Sequence, residues 1–176
     1  MFRRILVLLT VPFAAVIAFS AVASAATTVN PANAPNGANI KGAASCTVGS
    51  DGLTVTCSSY DISGVGNTNA NGALAANYTA TVDCRNHGGQ IVPVKSSTQS
   101  APTSTGNLAP ENGRLTVPSL NSGPVPTAAD FEAQATCPNG NWTKELENGT
   151  ITLSSFTYTL TFVGFSGGPF IKITGP

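Results

Sequence analysis

The feature that most limits the fold of this chain is an alternation of apolar and polar residues that runs, with Ala75 as its one exception, from Leu74 to Cys84. The apolar phase comprises Leu74, Ala76, Tyr78, Ala80, Val82 and Cys84. The polar phase comprises Asn77, Thr79, Thr81 and Asp83. Because side chains of an extended strand point alternately to its two faces, the pattern predicts a long β-strand with one face in the core and the other in water.

Weaker alternations of the same kind follow towards the carboxyl end. Residues 114 to 120 predict a further strand. Ile151 and Leu153 are in one phase, whereas residues 156 to 162 carry their apolar side chains in the other, which predicts a β-bulge near Ser154 and Ser155.

Turn signals separate these segments. Asn148 and Gly149 form the dipeptide most favoured in tight hairpins, so we expect Leu146 to face Ile151 across that turn. A final hairpin is predicted through Gly167 and Gly168. Thr127 and Asp130 match a capping box ahead of residues 131 to 135, which predicts one short helical turn. Together the signals predict an all-β fold, an immunoglobulin-like antiparallel two-sheet sandwich of about 7–9 strands.

Four cysteines predict two disulfides, for which three pairings exist. With Asp51 and Gly52 as a two-residue hairpin turn, Cys46 faces Cys57 in a hydrogen-bonded pair, where Cα atoms lie about 5.5 Å apart. That pairing leaves Cys84 with Cys137. Disulfides of this kind are typical of an oxidising compartment.

The amino terminus has the pattern of a secretory signal. Arg3 and Arg4 precede an apolar run, residues 5 to 22, that ends in the small residues 23 to 25. Cleavage is expected after Ala25, and the alternative, an uncleaved membrane anchor, is disfavoured by Pro12 and by the small-residue end. We therefore expect a secreted, extracellular protein without membrane attachment after cleavage.

After this cleavage the chain is expected to contain a flexible arm, residues 26–39, and a single domain, residues 40–176. Six basic residues then stand against eight acidic ones, a net charge of −2. A chain with so little basic charge lacks the electrostatic footprint of a nucleic-acid-binding protein.

Two segments of the chain also resemble a known group of proteins. The first comprises Asp83, Cys84, Arg85, Asn86, Gly88 and Gly89, and the second comprises Cys137, Pro138, Asn139, Asn141, Trp142 and Thr143. They are similar to small secreted proteins of high-GC Gram-positive bacteria. The resemblance implies export, an all-β fold and a bridge between Cys84 and Cys137, but it implies no activity.

Residues 164 to 169 invite comparison with the nucleophile segment of chymotrypsin-like proteases, with Ser166 as nucleophile, His87 as base and Asp130 as its partner. Phe165 stands where those proteases have an aspartate, and the two glycines after Ser166 predict a turn. Glu145 and Glu147 could also pair as glycosidase carboxylates, but a pair directly before a hairpin turn is more typical of a solvated strand face. No catalytic residue is therefore assigned.

Metal and cofactor sites are not predicted either. His87 is the only histidine, and the cysteine spacing does not fit zinc. Asn67, Asn69 and Asn71 imitate the spacing of a calcium loop, but Tyr78 occupies the position of its bidentate glutamate.

Two classes of function follow from these observations. The favoured one is a non-catalytic binding or cell-envelope-associated module that contacts a protein or a cell-wall glycan through its loops. Tyr60 and Trp142 are the predicted contacts, although Trp142 could instead fill the core beside the second disulfide. The alternative is a small secreted enzyme or an enzyme inhibitor, for which residues 123 to 126 would be the exposed loop.

Overall fold

The computed structural model describes residues 25–176, which form thirteen β-strands, one short α-helix and a 3-10 turn. The strands are β1 (Ala26–Val29), β2 (Asn39–Lys41), β3 (Cys46–Val48), β4 (Val55–Cys57), β5 (Tyr60–Ser63), β6 (Ala70–Arg85), β7 (Ile91–Gln99), β8 (Thr103–Leu108), β9 (Arg114–Val117), β10 (Leu120–Asn121), β11 (Thr143–Leu146), β12 (Thr152–Phe162) and β13 (Ile171–Gly175). The 3-10 turn is Pro31–Asn33, and the helix α1 is Ala128–Gln134.

Strand β6 is the central strand of the large, seven-stranded sheet. It pairs with β12 and β11 along one edge and with β7 and β8 along the other. Beyond β12 the sheet continues through β13 to β1, and every pairing is antiparallel. The predicted alternation is confirmed: the apolar phase from Leu74 to Cys84 is buried, and the polar phase between them is half-buried.

Two small sheets, β10-β4-β3 and β2-β5-β9, contribute to the same hydrophobic core as the buried face of β6. Hydrogen bonds cross this core. The Tyr78 hydroxyl donates to the Leu53 carbonyl at 3.0 Å, and the hydroxyls of Tyr60 and Tyr158 lie 2.8 Å apart. The large sheet and the small sheets therefore enclose one core.

The predicted all-β class is confirmed, but the strands are more numerous and are hydrogen-bonded into three sheets where two were expected. The additional strands include β1, β2 and β5, which are only three or four residues long. Segments of that length contain too few side chains to display a period of two, so their partners alone define them.

Both predicted disulfides are confirmed, Cys46–Cys57 and Cys84–Cys137. The register of the first hairpin is also confirmed, but its turn is wrong. Gly49 N–H donates to the Thr54 carbonyl at 2.7 Å, so the loop has four residues, Ser50 to Leu53. This bond inverts the hydrogen-bond phase and places Cys46 and Cys57 at a non-hydrogen-bonded pair, with Cα atoms 4.0 Å apart.

The predicted bulge in β12 is confirmed, because the register against β6 shifts between Leu153 and Ser155. The predicted hairpin at Asn148 and Gly149 is wrong. Strands β11 and β12 both pair with the same edge of β6 and run in the same direction. Glu147 N–H donates to the Thr81 carbonyl, and Thr150 Oγ1 accepts from Thr81 N–H. The turn therefore connects two strands that lie one after the other along the same edge of β6.

The predicted flexible arm is also wrong. Residues 26–29 form β1, which pairs with β13, and Asn33 and Ala34 are buried. The segment between the predicted cleavage point and Pro31 is too short for an alternation to be recognised. The edge of β13 supplies the hydrogen bonds that order it.

The predicted helical turn is confirmed as α1, where Asp130 Oδ2 accepts from Thr127 N–H at 2.7 Å.

The predicted signal peptide lies outside the described residues except for Ala25. Within residues 25–176 no helix is long and apolar enough to cross a membrane.

Candidate functional site

One end of β6 carries two loops, and the second disulfide ties one of them to the strand. We call it the disulfide end; it comprises residues 86–90 and 137–142. Cys84 lies near the end of β6, and its bond to Cys137 anchors the second loop. The first loop is closed by two bonds, from Asn86 N–H to the Gln90 carbonyl and from Gln90 N–H to Asn86 Oδ1. Both loops are therefore fixed to the scaffold.

Trp142 lies at the disulfide end and is partly exposed. It immediately precedes β11, in which Thr143 pairs with Arg85 at the end of β6. Trp142 is not among the partly buried side chains that pack against the main core, whereas Leu146 on the same strand is. The indole is thus held at the boundary between protein and solvent, where it can make a contact.

Tyr60 does not lie in a loop, which corrects its prediction as a ligand contact. It belongs to β5, is 5% exposed and points into the core. Its hydroxyl bonds to the hydroxyl of Tyr158, and burial raises the pKa of both phenols. A side chain in this position stabilises the packing of β5 on β12 and cannot reach a ligand.

Ser166 and His87 are held at opposite ends of the molecule. Ser166 lies in the loop between β12 and β13, four residues after Phe162, which pairs with Ala70 at the start of β6. His87 follows Arg85 at the end of the same strand. The 16 residues of β6 extend over roughly 50 Å at about 3.3 Å per residue, so these two side chains cannot form a catalytic pair.

The glycines after Ser166 have a packing role. Asn33 is 5% exposed, and its Nδ2 donates to the Pro169 carbonyl at 3.3 Å. A Cβ at Gly167 would collide with Asn33 Oδ1. The sequence that resembles a nucleophile motif therefore seats the β12–β13 loop on the 3-10 turn.

Two further sequence hypotheses are corrected by burial and by register. Gly123 and Pro126 are buried and Val125 packs against the core, so only Pro124 of the segment proposed as an inhibitory loop is exposed. Asn71 lies inside β6 between Thr161 and Asn107, so the predicted calcium spacing does not form a loop. Residues 25–176 hold no cluster of three or more metal-ligating side chains.

At the other end of β6 the structure reveals a groove of about 500 Å³ that the sequence did not predict. It follows Leu108, the partner of Ala70, and its lining comprises Ala109, Glu111, Asn112, Arg114 and Thr116. We call it the Arg114 groove. All five lining residues are exposed, so the groove is an open and mostly polar surface depression.

A tight turn builds the wall of the Arg114 groove. Asn112 and Gly113 both have positive φ, 49° and 74°, the combination required by a type I′ turn. Glu111 N–H donates to the Arg114 carbonyl at 2.8 Å, and Arg114 N–H donates back at 2.9 Å. The Asn-Gly dipeptide at 112–113 was the sequence signal that could have located this site.

One ion pair fixes the charge in the groove. Arg114 Nη2 donates to Asp61 Oδ2 at 2.6 Å, and Thr116 Oγ1 donates to the other carboxylate oxygen at 2.7 Å. The hydrogen bonds from Thr116 and Arg114 lower the pKa of Asp61. The carboxylate therefore stays ionised and holds the guanidinium in place.

The geometry thus offers two surfaces on opposite ends of one strand, an aromatic one at Trp142 and a charged one at Arg114. Both are suited to binding, and neither assembles the nucleophile, base and orienting group that the sequence suggested. No family model, curated protein or solved structure matches the chain.

Proposed function

We propose that this protein is an exported, non-catalytic binding or cell-envelope-associated module built on an immunoglobulin-like sandwich. In this proposal residues 1–25 are a signal peptide that is removed, and the protein acts outside the cell. The two disulfides support the proposal, since such bonds persist in oxidising compartments. The sandwich interpretation rests on one large sheet and two small ones sharing a core.

The position of Trp142 carries the proposal. A partly exposed tryptophan on a disulfide-anchored loop offers a large rigid contact at a small entropic cost. The side-chain amides of Asn86 and Gln90 bond to each other, whereas the exposed residues Asn139 and Asn141 on the Trp142 loop carry amides that can donate to and accept from a partner. An aromatic ring beside amides suits a neutral polar partner such as a cell-wall glycan.

A binding experiment on fractionated cell wall tests this function. The oxidised protein is incubated with purified cell-wall glycan, and the retained fraction is compared for wild type and Trp142→Ala. Val163→Ala is the matched control, because Val163 is an apolar side chain, 54% exposed, at the opposite end of β6. Retention that Trp142→Ala loses and Val163→Ala keeps supports the proposal.

Equal retention of the two variants, or no retention of wild type, would refute a binding role for the disulfide end. Export is tested separately by mass spectrometry of protein from the culture medium, where the proposed cleavage gives a chain that begins at Ala26. An intact leader on the medium form would contradict the signal assignment.

A further inference from the structure

The Arg114 groove contains a guanidinium whose binding capacity is largely unused. Arginine has five N–H donors in a fixed plane. Among the described residues, Arg114 uses one nitrogen on Asp61, and its side chain remains 60% exposed. Asp61 thus orients the guanidinium and leaves most of its N–H donors available to a ligand.

Glu111 supplies an opposite charge on the same turn. It faces Arg114 directly across the Asn112–Gly113 turn, and side chains at such a pair project to the same face of the ribbon. The Glu111 carboxylate makes no hydrogen bond or ion pair with any residue between 25 and 176. Arg114 bonds instead to Asp61, so among the described residues Glu111 and Arg114 are neighbours without a direct ion pair between them.

Positive and negative charges near the Arg114 groove are equal in number. In the register of β2 and β5, Lys41 lies opposite Asp61, so the strand next to the ion pair adds a second cation. Two cations and two carboxylates share this surface, and the groove has no large excess of either sign. A purely anionic or purely cationic ligand would leave one of the exposed charges unpaired.

We propose that the Arg114 groove binds a short zwitterionic peptide, or a free amino acid, with its carboxylate on Arg114 and its ammonium group on Glu111. A guanidinium binds a carboxylate through two parallel charge-assisted hydrogen bonds, and the adjacent Glu111 carboxylate accepts hydrogen bonds from the ammonium group. The role of Asp61 is to position Arg114. This site lies at the opposite end of β6 from Trp142, so it goes beyond the proposed glycan-binding function and stands independently of it.

The test uses L-alanyl-L-alanine as the probe, followed by NMR chemical shifts of the full protein. The same peptide acetylated at its amino end and amidated at its carboxyl end is the first comparison, and sodium acetate is the second. We expect saturable shifts in Glu111 and Arg114 with the unblocked dipeptide and weaker or absent shifts with the other two compounds.

Variants assign the two charges. Arg114→Gln should weaken binding of the unblocked dipeptide by about tenfold or more, the equivalent of one charge-assisted hydrogen bond. Glu111→Gln should remove the preference for a free amino end while leaving the preference for a free carboxylate. Lys172→Gln, an exposed change on β13 outside the groove, should alter neither.

Two results would overturn the proposal. One is equal affinity for the blocked and unblocked dipeptides. The other is the lack of saturable shifts in the groove up to about 10 mM peptide, beyond which an interaction is too weak to count as specific. Because all three positions are exposed, circular dichroism of each variant should match wild type, so a loss of binding reports on the site itself.

Discussion

The hydroxyl oxygens of Tyr60 and Tyr158 lie 2.8 Å apart inside the core, where β5 packs on β12. Both side chains are at least 95% buried. Each hydroxyl is the hydrogen-bond partner of the other. A buried polar group that loses its partner keeps its desolvation cost, whereas removing both polar groups together avoids it.

Replacing both tyrosines should therefore lower the free energy of unfolding by less than the sum of the two single replacements. Tyr60→Phe or Tyr158→Phe should each lower the free energy of unfolding by about 1–3 kcal/mol. The double variant should lose less than the sum of the two. Urea unfolding of all four proteins gives the coupling energy, and strict additivity would show that the hydroxyls do not depend on each other.

The two disulfides should contribute unequally to stability. They close loops with sequence separations of 11 and 53 residues, and the entropy that a cross-link removes from the unfolded chain grows with loop length. Replacing Cys46 and Cys57 by alanine should cost about 3 kcal/mol, and replacing Cys84 and Cys137 about 4 kcal/mol. Urea midpoints followed by circular dichroism measure both, and a larger loss from the short loop would contradict the argument.

Asp51 should remain ionised well below the usual range of an aspartate. Hydrogen bonds from the Thr54 side chain, then from the backbone of Thr54 and Leu53, lower its pKa from 3.8 to about 2. Since the folded pKa is depressed, the stabilising effect is complete above the unfolded pKa and is lost as pH falls towards 2. Titration of the side-chain carboxyl by carbon NMR should give that midpoint.

Thr54→Val is the matched variant for Asp51, because it removes the largest cause of the shift and nearly preserves side-chain shape. The midpoint of Asp51 should move upward in this variant. An unchanged midpoint would mean that the Thr54 hydroxyl does not hold the carboxylate.

Replacement by alanine should destabilise the protein at Gly167 but not at Ser166. Gly167→Ala places a Cβ against Asn33 Oδ1 and should cost about 1–3 kcal/mol, the usual range for overpacking. Ser166 is exposed, so Ser166→Ala should change stability by no more than about 0.5 kcal/mol. Thermal unfolding compares them. If the two variants melt together, the contact with Asn33 does not constrain the loop.

The long strand could be predicted because β6 meets the core on one face and water on the other along most of its length. The bulge in β12 was predictable for the same reason: a slip of one residue moves every following side chain to the wrong face. Pairing of Cys46 with Cys57 followed from register alone. The hydrogen-bond phase did not, since it depends on the bonds around Asp51 that close a four-residue loop.

Turn dipeptides were less informative, as two Asn-Gly pairs illustrate. At 112–113 both residues have positive φ and form a tight turn, whereas at 148–149 only Gly149 does. The difference lies in the flanking segments: β11 and β12 both form their backbone hydrogen bonds with β6, so they do not pair with each other. Such competition between partners is a tertiary effect that a local pattern does not contain.

The candidate sites were predicted only in part for related reasons. Trp142 was identified by its residue type and its loop. Tyr60 was assigned to a loop because β5 is only four residues long, too short to reveal which face meets the core. The Arg114 groove brings Asp61 and Arg114 together from β5 and β9, which are distant in sequence. Only the pairing of those strands creates the site.

The pairing of β1 with β13, in which Ala26 faces Thr174, has a consequence for the order of folding. A chain that is made amino end first contains β1 long before β13, its partner in the sheet, exists. Contacts between such distant segments close slowly, because the loop entropy must be overcome before any bond rewards it. The edge of the large sheet whose strand is made first is therefore the edge that is completed last.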